Sequence, residues 1–196
     1  VFDLGKVLLD FDYTIAAQKL AAQSEVTADA IKAFIDASPL LVDYEKGLVS
    51  RDVFFQTVRD QSGYRGSAAE FYALFADIFT PIQEMVDWQQ RLRAAGWRTY
   101  IFSNTNDLAI EHIRARFPFF NHFDGYVLSY EHGFMKPEPQ LYERVETMTG
   151  CRNAQILYFD DRTENVEAGR ARGWQAVHHV SPQQSLTAAQ QAGVPV

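Results

Sequence analysis

The sequence predicts an α/β protein, a Rossmann-like parallel sheet covered by helices, with a small four-helix cap inserted after the first strand. Three observations lead there. From Pro81 onward short apolar runs alternate with helical patterns, residues 13 to 80 carry helical patterns alone, and the chain opens on an apolar stretch ending in an aspartate.

The apolar runs are "VFDLG" (1 to 5), "WRTYIFSN" (97 to 104), "FDGYVLS" (123 to 129), "AQILYFDD" (154 to 161) and "WQAVHHV" (174 to 180). Their length and their aromatic and β-branched content suit buried strands. Between them "IQEMVDWQQRLRAAG", "NDLAIEHIRARF", "PQLYERVETMTG" and "TENVEAGRARG" repeat apolar residues three or four apart, the spacing of a helix face. Gly96, Gly150 and Gly173 each stand just before a strand, where a helix ends on a left-handed residue. Residues 1–12 and 81–196 are therefore assigned to the sheet core. A buried strand usually runs about five residues, and only Val1 and Phe2 precede Asp3, so the opening strand reads as continuing upstream.

Residues 13–80 read as the cap. They hold "YTIAAQKLAAQS", "TADAIKAFIDAS", "SRDVFFQTVRDQSG" and "SAAEFYALFADIF", with Thr27, Ser50 and Ser67 placed as N-caps. A helical insert after the first strand falls over the carboxyl ends of the sheet, where open α/β folds place their ligands.

At 196 residues and 47% hydrophobic, the chain can bury one sizeable core or a core plus a small accessory unit. Its 18 basic and 25 acidic residues give a net charge of -7 with no basic run, which argues against a nucleic-acid surface or a polybasic membrane anchor. Small molecules and metal cations are the expected partners; oligomeric state is left open. The single cysteine, Cys151, reads as structural and fits a reducing, cytoplasmic setting. No apolar run approaches the roughly 18 residues that span a bilayer.

Four stretches at predicted strand ends carry polar residues suited to chemistry: Asp3, Ser103-Asn104, Lys136, and Asp160-Asp161. Each alone has an ordinary explanation as a turn, a helix cap or a solvated loop residue. A second acidic pattern, Asp10-Phe11-Asp12, competes with Asp3 for the reacting role, and a reading with "KVLLDFDYT" as the strand and Asp10 as nucleophile stays open on the residues alone.

Taken together, "VFDLGKVL", "YIFSNTN", "GFMKPEPQLY" and "ILYFDDRTENVEAG", in that order, resemble the haloacid dehalogenase superfamily of hydrolases over nearly the whole chain. The first motif is most similar to a helical-cap subgroup whose motif runs Phe-Asp-Leu-Gly and which includes sugar-phosphate phosphatases similar to alpha-glucose-1-phosphate phosphatase. That resemblance makes Asp3 the nucleophile and leaves Asp10 and Asp12 at the entrance to the cap, with substrate contact by Asp12 as the sharper alternative. It further implies Mg²⁺, held by Asp3, the Gly5 carbonyl and Asp161, with Asp160 reaching the ion directly or through water. Mg²⁺ takes about six oxygen ligands, few of them protein carboxylates. Lys136 would neutralise nucleophile and phosphate together, and Ser103 would donate its hydroxyl to a phosphate oxygen. Backbone N–H groups at Asn104, Leu4 and Gly5 would supply further donors.

Gly5 departs from the commonest superfamily pattern, in which a second Asp two residues after the nucleophile serves as general acid and base. Such help commonly contributes about 10² to 10⁴ in rate. Its loss implies a slow enzyme, a good leaving group, or a different proton donor, for which His132 is a distant candidate. Lys6 reads as a solvated loop lysine or as a cation that greets an acidic substrate. In "DYEKGLVS" (43 to 50), a loop between cap helices, Tyr44 and Lys46 are candidates to face the substrate.

The expected function is a Mg²⁺-dependent phosphatase of a small phosphorylated metabolite, such as a sugar phosphate. The alternatives are a metal-independent 2-haloacid dehalogenase, which has no use for the acidic pair, and a catalytically weak binding protein using the same cleft.

Overall fold

The computed structural model describes residues 1–196, with the side chain of every residue except residue 36. Along the chain lie β1 (Leu9–Phe11), α1 (Tyr13–Ala21), α2 (Ala28–Ala37), α3 (Pro39–Glu45), α4 (Arg51–Ser62), α5 (Ala68–Ala76) and β2 (Phe79–Pro81). Next come α6 (Gln83–Ala94), β3 (Tyr100–Ser103), α7 (Asp107–Arg116), β4 (Gly125–Leu128), α8 (Ser129–His132) and α9 (Pro139–Thr149). The chain finishes with β5 (Leu157–Asp160), α10 (Thr163–Ala171), β6 (Gln175–His178) and α11 (Pro182–Gln191).

β3 pairs in parallel with β4, and β5 with β6. The opening segment joins the two pairs, since Phe2 bridges Ile101 on one side and Phe159 on the other, both in parallel. The sheet order is thus β4, β3, opening segment, β5, β6, all parallel, as the alternating pattern predicts of the strand direction. Period-two side-chain direction sorts the core. Phe2, Ile101 and Phe159 point into a cluster with Met85, Trp88 and Leu92 of α6 and Ile110 and Ile113 of α7. Phe102, Val127 and Tyr158 point the other way, against Leu141, Tyr142 and Val145 of α9 and Val166 of α10. Both faces are covered, which is why these strands read as continuous apolar runs.

A separate cluster, Ala16, Leu20, Ile31, Ile35, Phe54, Phe71 and Phe75 among others, holds the helical insert together. Thr27, Ser50 and Ser67 cap α2, α4 and α5 as expected, Ser67 in a reciprocal capping box with Glu70. Gly96, Gly150 and Gly173 all have positive φ after their helices. Two features differ from expectation. The insert has five helices instead of four, because Ser38 caps a further helix in which Pro39 takes the first position, one that needs no N–H. The chain also enters and leaves the insert through an antiparallel hairpin, β1 with β2, Asp10 opposite Thr80. So "KVLLDFDYT" does contain a strand, but one outside the parallel sheet.

Candidate active site

The carboxyl ends of the opening segment, β3 and β5 meet at one edge. Asp3 follows Phe2 directly; its N–H donates to Phe159 O at 2.8 Å, and its Oδ1 accepts the Leu4 N–H at 2.7 Å. Ser103 ends β3 and Asp160 ends β5, both buried. Lys136 arrives from the loop after α8, and the Asn104 side chain fixes it there. Asn104 Oδ1 accepts the Lys136 N–H at 2.7 Å while its Nδ2 donates to Lys136 O at 3.0 Å. This clamp is a role for the Asn104 side chain that the sequence did not reveal.

The Lys136 ammonium lies 3.0 Å from Asp3 Oδ1 and 2.6 Å from Asp160 Oδ2, and donates to Phe102 O at 2.9 Å. Burial alone would favour the neutral amine, but Asp160 and Asp3 more than offset it, and the net shift of its pKa is upward. Burial likewise pushes Asp3 well above the ordinary carboxylate range; Lys136 opposes this, while Asp160 and Asp161 add to it. Asp161 is raised by burial and then by Asp160. Asp160 alone of the three is held low, Lys136 overcoming the effect of its burial.

One carboxylate oxygen from each of Asp3, Asp160 and Asp161 falls within 4.8 Å of the others. An all-oxygen set with two carboxyls pushed up by burial and, after it, by their acidic neighbours suits a hard dication, whose charge would relieve the repulsion. The three carboxylates are not equivalent. Asp160 Oδ2 meets both Lys136 Nζ and the Tyr158 hydroxyl, and Oδ1 accepts from the Arg162 N–H at 2.9 Å and Asn165 Nδ2 at 3.0 Å. Four donors already fill the roughly four lone-pair sites of a carboxylate. The lone pairs of Asp160 are thus committed within the protein, and its carboxylate holds Lys136 in place.

Gly5 is tightly backed. A Cβ there would stand 2.7 Å from Phe11 Cε1, so the position at which a general acid was expected and missed has no room for one beside that ring.

The weaker candidates lie outside the carboxylate cluster. Lys6, left-handed at φ 59°, puts its ammonium 2.5 Å from Asp10 Oδ1 and 2.8 Å from Phe11 O, so it ties the loop to the hairpin. Asp10 is exposed on that hairpin, and Asp12 caps α1 by accepting the Thr14 N–H at 2.7 Å. Tyr44 is buried against Phe54 and donates to Asp107, which also takes Arg51 Nε at 2.6 Å. Lys46 pairs with Glu138 at 2.9 Å. Tyr44 and Lys46 therefore pin the insert to the core. The charges acting on His132 are Arg144 and Glu131, neither in the cluster. A cavity of about 240 Å³, lined by Trp88, Trp97 and Tyr100 among others, shares no residue with the cluster.

The residue the sequence reading missed is Glu45, between Tyr44 and Lys46. Burial pushes its carboxyl up to about 7, against the pull of Arg162 and Lys136. With residues 43 to 50 read as loop, only its neighbours drew notice; the signal was Pro39 one residue after Ser38, a helix start.

A buried lysine bridging strand-end carboxylates beneath a helical insert defines a class. The chain belongs to the haloacid dehalogenase-like hydrolases, whose family model matches residues 1–173. It is similar to a D-ribitol-5-phosphate phosphatase of Bacteroides thetaiotaomicron, 24% identical over 182 residues, 89% of this chain and 88% of that protein. It is also similar to a sesquiterpene phosphatase of Aspergillus oryzae, 25% identical over 91% of this chain and 87% of that one. Among solved structures, a family enzyme of B. thetaiotaomicron in complex with magnesium and inorganic phosphate matches with a TM-score of 0.78 at 22% identity, covering 90% of each chain. An L-2-haloacid dehalogenase of Xanthobacter autotrophicus matches with a TM-score of 0.64 at 19% identity, over all of this chain and 82% of that one. At these identities the structural likeness is one of fold. No helix among the described residues is long and apolar enough to cross a membrane.

Proposed function

We propose that this chain is a Mg²⁺-dependent phosphatase of a small phosphorylated metabolite, working through an aspartyl phosphate on Asp3. The observation that carries the reading is the convergence of Asp3, Asp160 and Asp161 within 4.8 Å, with Lys136 bridging the first two. Phosphoryl transfer to a carboxylate needs positive charge and aligned donors to overcome repulsion between anions.

Asp3, its backbone fixed by Phe159 O, presents a carboxylate at the sheet edge as the nucleophile. Lys136 offsets its charge and that of the incoming phosphate, and Asp160 with Tyr158 and Asn165 keeps the ammonium in position. The buried Ser103 hydroxyl and the N–H groups of Leu4, Gly5 and Asn104 stand as donors to the phosphoryl oxygens. Mg²⁺, held by Asp3, Asp161 and the Gly5 carbonyl, would supply charge neutralisation to the phosphoryl group when bound.

The two phosphatase relatives differ in the alcohol they release, a sugar alcohol in one and a terpenoid in the other. This supports the class of small alkyl phosphates and leaves sugar phosphates as the first group to assay. The test is phosphate release from an aryl phosphate and from a panel of sugar and polyol phosphates, with Mg²⁺ and with chelator. Release that needs Mg²⁺ and vanishes in Asp3→Asn supports the reading. No release from any of them, with metabolites still bound, would leave a binding protein. Gly5 is the one feature that favours a dehalogenase; halide release from a 2-haloacid in the presence of chelator would establish that activity instead.

A further inference from the structure

The missing acid at Gly5 leaves the departing alcohol without a proton. Glu45, the last residue of α3, is a carboxyl of the helical insert that the fold fastens beside the turn after Ser103 and the loop carrying Lys136. Its backbone carbonyl lies 2.5 Å from Ser129 Oγ, which also accepts the N–H of Thr105 at 2.9 Å, one residue after Asn104. Its neighbours are fastened on both sides, Tyr44 to Asp107 and Lys46 to Glu138, two residues beyond Lys136. At Gly47 the backbone turns so closely against Tyr130 that a Cβ would meet Tyr130 O at 2.2 Å. The end of α3 is thereby tied to both the Ser103–Thr105 turn and the Lys136 loop.

The Glu45 side chain is partly buried, and among the described residues no side chain pairs with it. Two charges act on it, Arg162 ahead of α10 and Lys136 after α8. Arg162 is itself paired with Glu164 at 2.5 Å. Lys136 itself lies 3.0 Å from Asp3.

We propose that Glu45 is the general acid for the leaving group and the general base for water, in place of the absent aspartate after Asp3. The inference rests on the phosphatase reading above. As Asp3 Oδ bonds to phosphorus and the ester P–O bond breaks, the Glu45 proton passes to the leaving oxygen and an alcohol departs. The Glu45 carboxylate then takes a proton from the water that attacks the aspartyl phosphate, so phosphate leaves and both residues return to their starting states. A carboxyl lifted to about 7 keeps that proton on about half of the molecules at neutral pH, where an ordinary glutamate has lost it.

The test is Glu45→Gln, which keeps the shape and loses the proton, assayed on an alkyl phosphate and on a nitrophenyl phosphate whose leaving group needs none. The expected result is a loss of about 10² in kcat/KM on the alkyl ester, with less than a threefold change on the aryl ester. Wild-type turnover of the alkyl ester should fall as pH rises through about 7, and this limb should vanish in the variant. Equal losses on both esters, or an unchanged pH limb, overturn the assignment. If the wild type hydrolyses neither ester, it is the phosphatase reading that has failed. Melting provides a readout free of activity. A carboxyl raised in the folded state loses its stabilising contribution as pH climbs towards 7, so Glu45→Gln should melt higher than wild type at pH 8 and level with it at pH 4. No difference at pH 8 argues against a raised carboxyl at this position.

Discussion

Asp3 Oδ1 and Lys136 Nζ stand 3.0 Å apart, with the lysine side chain 1% exposed and the aspartate side chain 10%. The pair is not isolated, since Asp160 lies 2.6 Å from the same ammonium. Substituting Lys136→Met leaves two buried carboxylates facing each other, and a broken buried pair typically costs about 3–5 kcal/mol. A lower midpoint in urea unfolding and a loss of about 10² to 10³ in kcat are expected. A variant as stable as wild type would mean that the carboxylates pick up protons at no cost to the fold.

Asp160 and Asp161 are adjacent, yet their variants should separate. Asp161→Asn removes one of the three clustered carboxyls and should abolish the rise in melting temperature expected of the wild type in Mg²⁺. At a hundredfold excess over Kd that stabilisation is about 2.7 kcal/mol, and it should fade as pH falls and Asp3 and Asp161 take up protons. Asp160→Asn strips Lys136 of its nearer partner and should lower stability in the absence of any metal. Calorimetry of both variants with and without Mg²⁺ separates the two roles.

Restoring the common aspartate with Gly5→Asp should not add activity. The new Cβ meets Phe11, whose ring packs on Tyr13 and Phe79, so the substitution forces the hairpin aside. The double variant Gly5→Asp with Phe11→Ala makes the room and should recover turnover relative to the single one. Kinetics of the three proteins on one alkyl phosphate decide the matter.

Lys6→Ala should leave KM for a phosphate ester within twofold of wild type. The ammonium is held by Asp10 and Phe11 O and lies over the Phe11 ring. Exposed ion pairs of this kind contribute about 0–1 kcal/mol, so its melting temperature should barely move. A large rise in KM would return Lys6 to the role of a substrate-greeting cation.

The parallel sheet was legible because its strands are buried on both faces and helices of clear period lie between them, three of which end on a glycine before the next strand. Asp3, Ser103 and Asp160 were legible for a related reason, as polar residues that end apolar runs. What stayed hidden depends on contacts between segments far apart in sequence. The hairpin of Leu9–Phe11 with Phe79–Pro81 has three residues per strand, too few for a period. Tyr44 and Lys46 seemed to offer polar ends to a ligand, whereas Asp107 and Glu138, more than 60 residues away, take them up. The division of labour within the acidic doublet follows from Asn165 and Tyr158, whose spacing from Asp160 looks like ordinary helix and strand sequence. Glu45 needed the end of a short helix to be seen at all.

Because Phe11 stands opposite Phe79, the chain enters and leaves everything between them through a single short ladder. Antiparallel strands of this kind accept a two-residue Asn-Gly connection, so residues 12 to 78 form a detachable length of chain that a tight turn could short-circuit. Asp3, Ser103, Lys136 and the acidic doublet all sit outside it, and Glu45 sits inside. On the proposed reading, the capacity to capture a phosphoryl group and the capacity to send off its alcohol are carried on two stretches of polypeptide that the chain joins through a three-rung neck and that Tyr44–Asp107 and Lys46–Glu138 fasten across space.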